Sequence, residues 1–197
     1  MLEWRVGGVR CRLSLLFPAL MTALLLWQPD GFAVSCLLGS LVHEGGHLLA
    51  MLALKVPPQQ CMLGAFGMRI DLNDTLIGYG KNLMIALAGP LANGVAAALL
   101  FLWQCPDAAA VHLALAALNL LPAAALDGGE LLRYGVSLLG LEALADVLLR
   151  FTSALVLLPL AAVSLWLFIK GSNPSLLIVS AYLVTLIFFS EKNEKSS

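Results

Sequence analysis

Runs of about twenty apolar residues, parted by short turns, recur along this chain from about residue 13 to residue 190. A segment of that length and polarity is a helix that crosses a bilayer, and several in one chain make an all-α polytopic membrane protein. The composition agrees. Of 197 residues, 60% are hydrophobic and 12% charged, and the mean hydropathy is +0.92, which is more apolar surface than a water-soluble domain of this size needs. A net charge of −1 offers nothing to attract nucleic acid. Cys11, Cys36, Cys61 and Cys105 are scattered without a C-x-x-C pair, which argues against a disulfide framework or a cysteine metal site. The basic, then apolar, N-terminus lacks a small-residue cleavage site and reads as an anchor rather than a signal peptide.

The spacing predicts about six transmembrane helices, at about 13–27, 32–54, 82–103, 108–126, 151–169 and 175–189. Gln28–Gly31, Gln104–Asp107 and Gly171–Pro174 supply the outer turns. Of the eleven lysines and arginines only Lys170 then falls outside, which puts both termini in the cytoplasm. Residues 1–197 form one domain, with a core at about 13–130 and two further spans at about 151–190. Residues 60–72 differ in texture: Gly64 and Gly67 make them too glycine-rich for a helix, and they read as a short membrane-associated β-hairpin after the second span. Such an edge can line a cavity and pair with an extended peptide, or it is an ordinary interfacial loop. Glu142, Asp146 and Arg150 share one helix face as a solvated helix start, with Asp146 and Arg150 as a supporting pair.

Within the second span stands His43-Glu44-Gly45-Gly46-His47. Residues four apart share a helix face, so two imidazoles can meet one metal ion, while Glu44 beside them can take a proton from water. Two nitrogens and one carboxylate with an open fourth position are a common catalytic zinc set, so Zn2+ is the expected cofactor. A packed polar pair is the plainer alternative, but ionisable groups inside an apolar span mark function by default. The best third ligand is Asp127, which closes the fourth span in Asn119-Leu120-Leu121-Pro122-Ala123-Ala124-Ala125-Leu126-Asp127-Gly128-Gly129. Pro122 opens the helix and the two glycines allow a close backbone approach. An Asp-Gly turn ending a helix is the rival reading, and Glu130 is a lesser candidate ligand. Asn119 either donates to a substrate carbonyl or developing oxyanion, or satisfies the carbonyl freed by Pro122. Asn93, polar in an apolar run, needs an interhelical partner. His112 reads as a satisfied or interfacial histidine.

H-E-G-G-H in the second span, A-G-P-L-A-N in the third and N-L-L-P-A-A-A-L-D-G-G in the fourth together resemble the site-two protease family of intramembrane zinc metalloproteases. The family motifs, HExxH and NxxPxxxxDG, match at every fixed position. The resemblance implies zinc held by His43, His47 and Asp127, with Glu44 as catalytic acid/base and Asn119 assisting. Gly64, Phe66, Gly67 and Asn93 are the expected substrate-binding residues. The substrate is then a transmembrane or membrane-associated protein, with a regulatory membrane protein as a further partner. Where the family often has prolines before the aspartate, this chain has Ala123-Ala124-Ala125, which bears on the local backbone shape. The length leaves no room for a PDZ or CBS domain and is similar to the stage-four sporulation protein FB branch, which implies a bacterial cell membrane and a sigma-factor precursor as substrate. The competing readings are a metal or ion transporter and an inactive relative that binds helices.

Overall fold

A computed structural model describes residues 2–6, 9–13, 31–56, 60–64, 67–71, 77–124 and 126–170. The expected first span beyond Leu13, and the whole of the sixth, lie outside them. The chain divides into two compact units, Met1–Leu118 and Asn119–Ser197.

The first unit opens with a feature absent from the sequence reading. Residues 2–6 and 9–13 are not a plain basic flank but two strands, β1 (Leu2–Val6) and β2 (Val9–Leu13), paired antiparallel with Leu2 opposite Leu13 and Val6 opposite Val9. Apolar and charged residues alternate in both. β2 runs parallel to β3 (Gln60–Gly64), which pairs antiparallel with β4 (Gly67–Asp71), in the order β1-β2-β3-β4. The fold is therefore helical with a small four-stranded sheet.

The helices of this unit are α1 (Phe32–Ala53), α2 (Tyr79–Leu102) and α3 (Pro106–Asn119, whose last residue begins the second unit). α1 and α2 end with the same device. Lys55 and Gln104 adopt left-handed backbone, φ 57° and 60°. Val56 N–H then reaches back to Met51 O at 2.9 Å, and Cys105 N–H to Leu100 O at 3.0 Å. These are Schellman closures built without glycine, and they satisfy carbonyls that a helix end leaves orphaned.

α1 buries Gly39, His43, Gly46, His47 and Met51; α2 buries Asn82, Ile85, Ala86, Gly89, Pro90, Asn93 and Ala97. These stripes, at three- and four-residue spacing, face each other. A Cβ added to Gly46 would lie 2.5 Å from Ala88 O and 2.7 Å from Ala92 Cβ, so the backbones meet there as only glycine permits. α3 buries Ala109, His112 and Ala116 and touches α1 at Gly39, where an added Cβ would lie 2.5 Å from Leu115 Cδ1. The opposite faces carry Leu49, Leu52, Phe101 and Leu102, each at least two-thirds exposed, as expected for surfaces solvated by lipid.

The second unit holds α4 (Asp127–Ser137) and α5 (Glu142–Ile169), linked by an Arg133–Asp146 contact at 3.7 Å. Asp146 thus meets Arg133 rather than the Arg150 suggested by spacing; both groups are about half exposed, so the pair contributes under ~1 kcal/mol. At 28 residues α5 is roughly 42 Å long, against about 30 Å of hydrocarbon. The excess is the charged stretch Glu142–Arg150, which leaves Phe151–Ile169 as the apolar length. Lys170 Nζ sits 4.6 Å above the Trp166 ring at its far end, an arrangement suited to an interface.

Three described helices, α1, α2 and α5, are long and apolar enough to cross a membrane. The expected fourth span is a correction. The helix stops at Asn119, and residues 120–124 are irregular. Proline at 122 lacks a donor and restricts the residue before it, so the helix closes three residues earlier. Asp127 accordingly opens α4 instead of closing a span.

Candidate metal centre

α1 delivers His43 and His47 on one face, both buried, at 7% and 8% exposure. Their rings stand edge to face, 4.8 Å apart and 82° between planes. This turns both Nε2 atoms inward, 3.2 Å from each other. Two nitrogens on one tetrahedral zinc ion at 2.0–2.1 Å would be about 3.3 Å apart, so the pair is already spaced as a zinc edge. His47 Nδ1 lies 2.7 Å from the Ile85 carbonyl, which fixes that ring's proton on Nδ1 and leaves the Nε2 lone pair for a ligand role. Glycine at 89 makes room. A Cβ there would collide with His47 Nε2 and lie 2.7 Å from His47 Cε1 and 2.9 Å from His43 Cε1. Glu44, next along the helix, is half-buried, and the neighbouring Gly45 has nothing within 4 Å of its missing Cβ among the described residues.

Asn93 has no exposed surface; its Nδ2 is 3.4 Å from His43 Nδ1 and its Oδ1 3.0 Å from His112 Nδ1. The interhelical partner required of this asparagine is a pair of histidines, so its amide is occupied within the bundle. His112, 5% exposed, is the satisfied histidine of the sequence reading.

In the second unit Asp127 lies in the first turn of α4, half-buried, where helix dipole and carboxylate charge agree. The segment before it is held by Ala123 N–H to Leu121 O at 2.8 Å and Leu126 N–H to Ala123 O at 2.9 Å. Ser153 of α5 accepts the Ala124 N–H at 2.9 Å and donates to Leu149 O at 2.6 Å. Gly128 and Gly129 lie directly on the backbone of 120–123: a Cβ on either would strike the Leu120 or Ala123 carbonyl. Ala123 and Ala124 are thus held by backbone bonds and Ser153, without added prolines. Asn119 is the last residue of α3 and half-buried; Glu130 is exposed in the first turn of α4.

Gly64 ends β3 opposite Gly67, which begins β4, and β4 lies at the end of the strand order. Phe66 is outside the described residues. Sequence reasoning missed the Ile85 carbonyl, Gly89, Ser153 and the His112–Asn93 contact. Only Gly89 carried a local signal, in the small-residue run Ala88-Gly89-Pro90.

No protein-family model matches the chain, and no curated protein does. Its fold is similar to that of the solved Site-2 Protease from Methanocaldococcus jannaschii, with a TM-score of 0.68 and 18% sequence identity over 92% of this chain and 91% of that one. At that identity the likeness is one of fold.

Proposed function

We propose that this chain is an intramembrane zinc metalloprotease of the site-two type, hydrolysing a peptide bond in or near a transmembrane segment of a membrane-tethered substrate. The observation that carries the reading is the histidine pair: two buried Nε2 atoms 3.2 Å apart on an apolar helix beside a glutamate. The similarity of fold supports it.

His43, His47 and Asp127 are ligand types able to hold a metal ion, and we assign them to one zinc. Zinc, when bound, polarises a carbonyl and makes water a usable nucleophile near neutral pH. Glu44 takes the proton from the attacking water and returns it to the leaving amine. The Ile85 carbonyl keeps His47 in its ligand tautomer through this cycle. Asn119 donates to the carbonyl oxygen as charge develops on it. A helical substrate hides its carbonyls in its own hydrogen bonds and must be extended first; addition to the strand edge near Gly64, Phe66 and Gly67 would hold it so. By resemblance of branch the substrate is a sigma-factor precursor in a bacterial membrane.

The test is Glu44→Gln, co-expressed with candidate single-span proteins and read by mass spectrometry of fragments and by zinc content. Zinc and fold should be retained while cleavage falls by about 10²–10⁴. Undiminished cleavage would exclude the reading.

A further inference from the structure

The register of the four-stranded sheet fixes which residues share a face, because successive residues of a strand alternate sides and register partners lie on the same side. One row across the strands is Leu2, Leu13, Leu63 and Met68, and another is Trp4, Cys11, Cys61 and Ile70. With the Val6–Val9 pair they make one face apolar throughout. The rows between them belong to the other face: Glu3, Arg12, Met62 and Arg69, then Arg5, Arg10, Gln60 and Asp71. That face holds four arginines against two carboxylates. Arg5 stands directly opposite Arg10, a like-charge pairing that destabilises a sheet unless an anion offsets it. Arg12 follows Arg10 by two positions on β2, so three arginines gather on one side of β1 and β2. Glu3 and Arg5 are exposed.

The chain connections place this sheet at a membrane surface. Residues 54–59 lead from α1 to β3, and residues 72–78 lead from β4 to α2. Both helices are long and apolar enough to cross a membrane. Lys81 Nζ lies 3.4 Å from the Leu54 carbonyl, so the end of α1 and the start of α2 are neighbours at one surface. No described helix packs extensively on the sheet. Open strand edges do not enter hydrocarbon, so a two-faced sheet lies flat, its apolar face on the acyl chains and its charged face at headgroup depth. The local charge suits that depth. Residues 2–13 and 55–81 hold six basic residues and three acidic ones, in a chain whose net charge is −1.

We infer that this sheet is a binding surface for anionic phospholipid, with its apolar face on the acyl chains and Arg5, Arg10 and Arg12 taking the headgroup phosphates. A guanidinium is a planar fork that matches two phosphate oxygens, and a phosphate shared by Arg5 and Arg10 removes the repulsion between them. An acidic protein segment would account for the arginines alone, whereas a lipid accounts for both faces of one thin sheet. The inference stands apart from the metal centre and does not rest on the zinc reading.

The experiment uses the full chain in neutral detergent, titrated with phosphatidylglycerol, phosphatidylcholine or inorganic phosphate and read by native mass spectrometry. Phosphatidylglycerol should be retained over phosphatidylcholine, and each arginine removed should weaken its binding by about fivefold. The double variant Arg5→Gln with Arg10→Gln should then lose about 25-fold, without harm to the sheet, since the substitution removes a repulsion. Arg5→Lys with Arg10→Lys keeps both charges and should stay within about fivefold of the natural chain. Lys170→Gln removes a charge far along the chain and should change nothing. Equal retention of the two lipids overturns the inference, as does an equal loss in Lys170→Gln. Displacement of the lipid by inorganic phosphate at like concentration overturns it too. Arginine-dependent binding of a polyglutamate peptide, with no preference between lipids, gives the face to an acidic protein instead. The apolar face has its own readout in nanodiscs with brominated acyl chains. The Trp4 fluorescence, taken as the difference from Trp4→Phe, should be quenched, and an unquenched Trp4 overturns the placement on lipid.

Discussion

His43, Glu44 and His47 were legible as a unit because their relation is local: a helix alone puts residues four apart on one face. Asp127 stands out in the sequence for a different reason, the expense of a carboxylate after a long apolar run. The prediction at this scale concerns it. Asp127→Ala should lose most bound zinc, measured by elemental analysis of purified protein, and with it all proteolysis. Asp127→Asn keeps the shape but not the charge and should bind zinc more weakly than the natural chain. Full zinc occupancy in the alanine variant would move the third-ligand role elsewhere, with Glu130 first in line. The contact that His112 makes was not legible. Nothing within its own helix points to Asn93, 19 positions earlier, and only the packing of α2 against α3 brings the two together. The same holds for the Ile85 carbonyl, 38 positions from His47.

At the scale of elements, apolar runs identified α1, α2 and the apolar part of α5 within a few residues, because lipid leaves a helix few alternatives. They overextended the segment before Asp127. Composition stays apolar through Ala123-Ala124-Ala125, but the helix ends at Asn119, so hydropathy measures the solvent and Pro122 sets the boundary. They also hid the N-terminal hairpin. Its arginines drew attention as a topology signal, although Leu2-Glu3-Trp4-Arg5-Val6 and Val9-Arg10-Cys11-Arg12-Leu13 alternate around Gly7-Gly8. The tight crossing of α1 and α2 yields a paired prediction. Gly89→Ala puts a methyl group on the His47 ring; overpacking should destabilise by about 1–3 kcal/mol and displace the imidazole enough to lose zinc. Gly94→Ala, on the same helix but with open space at its Cβ among the described residues, should stabilise by up to about 1 kcal/mol. Thermal unfolding in detergent, read beside zinc content, separates the two; equal behaviour would mean the crossing is looser than described.

For the whole molecule the question is what the metal does to the folded state. His43 and His47 are buried with their Nε2 atoms 3.2 Å apart, an arrangement an unfolded chain does not hold, so under the proposed function zinc would bind the native state selectively and its binding energy would become stability. With free zinc at a hundred times the dissociation constant, the gain is about 2.7 kcal/mol. Stripping zinc with a chelator should therefore lower the melting temperature by several degrees, and restoring zinc should reverse the loss. Across variants the size of that shift sorts the residues by role. Glu44→Gln should keep it whole, because in the proposed mechanism Glu44 acts on the proton of the attacking water and not on the ion. Asp127→Ala should nearly abolish it. Ser153→Ala frees the Ala124 N–H and loosens the turn before Asp127; it should lower the zinc-free melting temperature as well as the shift. A melting temperature indifferent to chelation in the unaltered chain would mean that the histidine pair is a packing feature of the helix crossing, and the metalloprotease reading would fall with it.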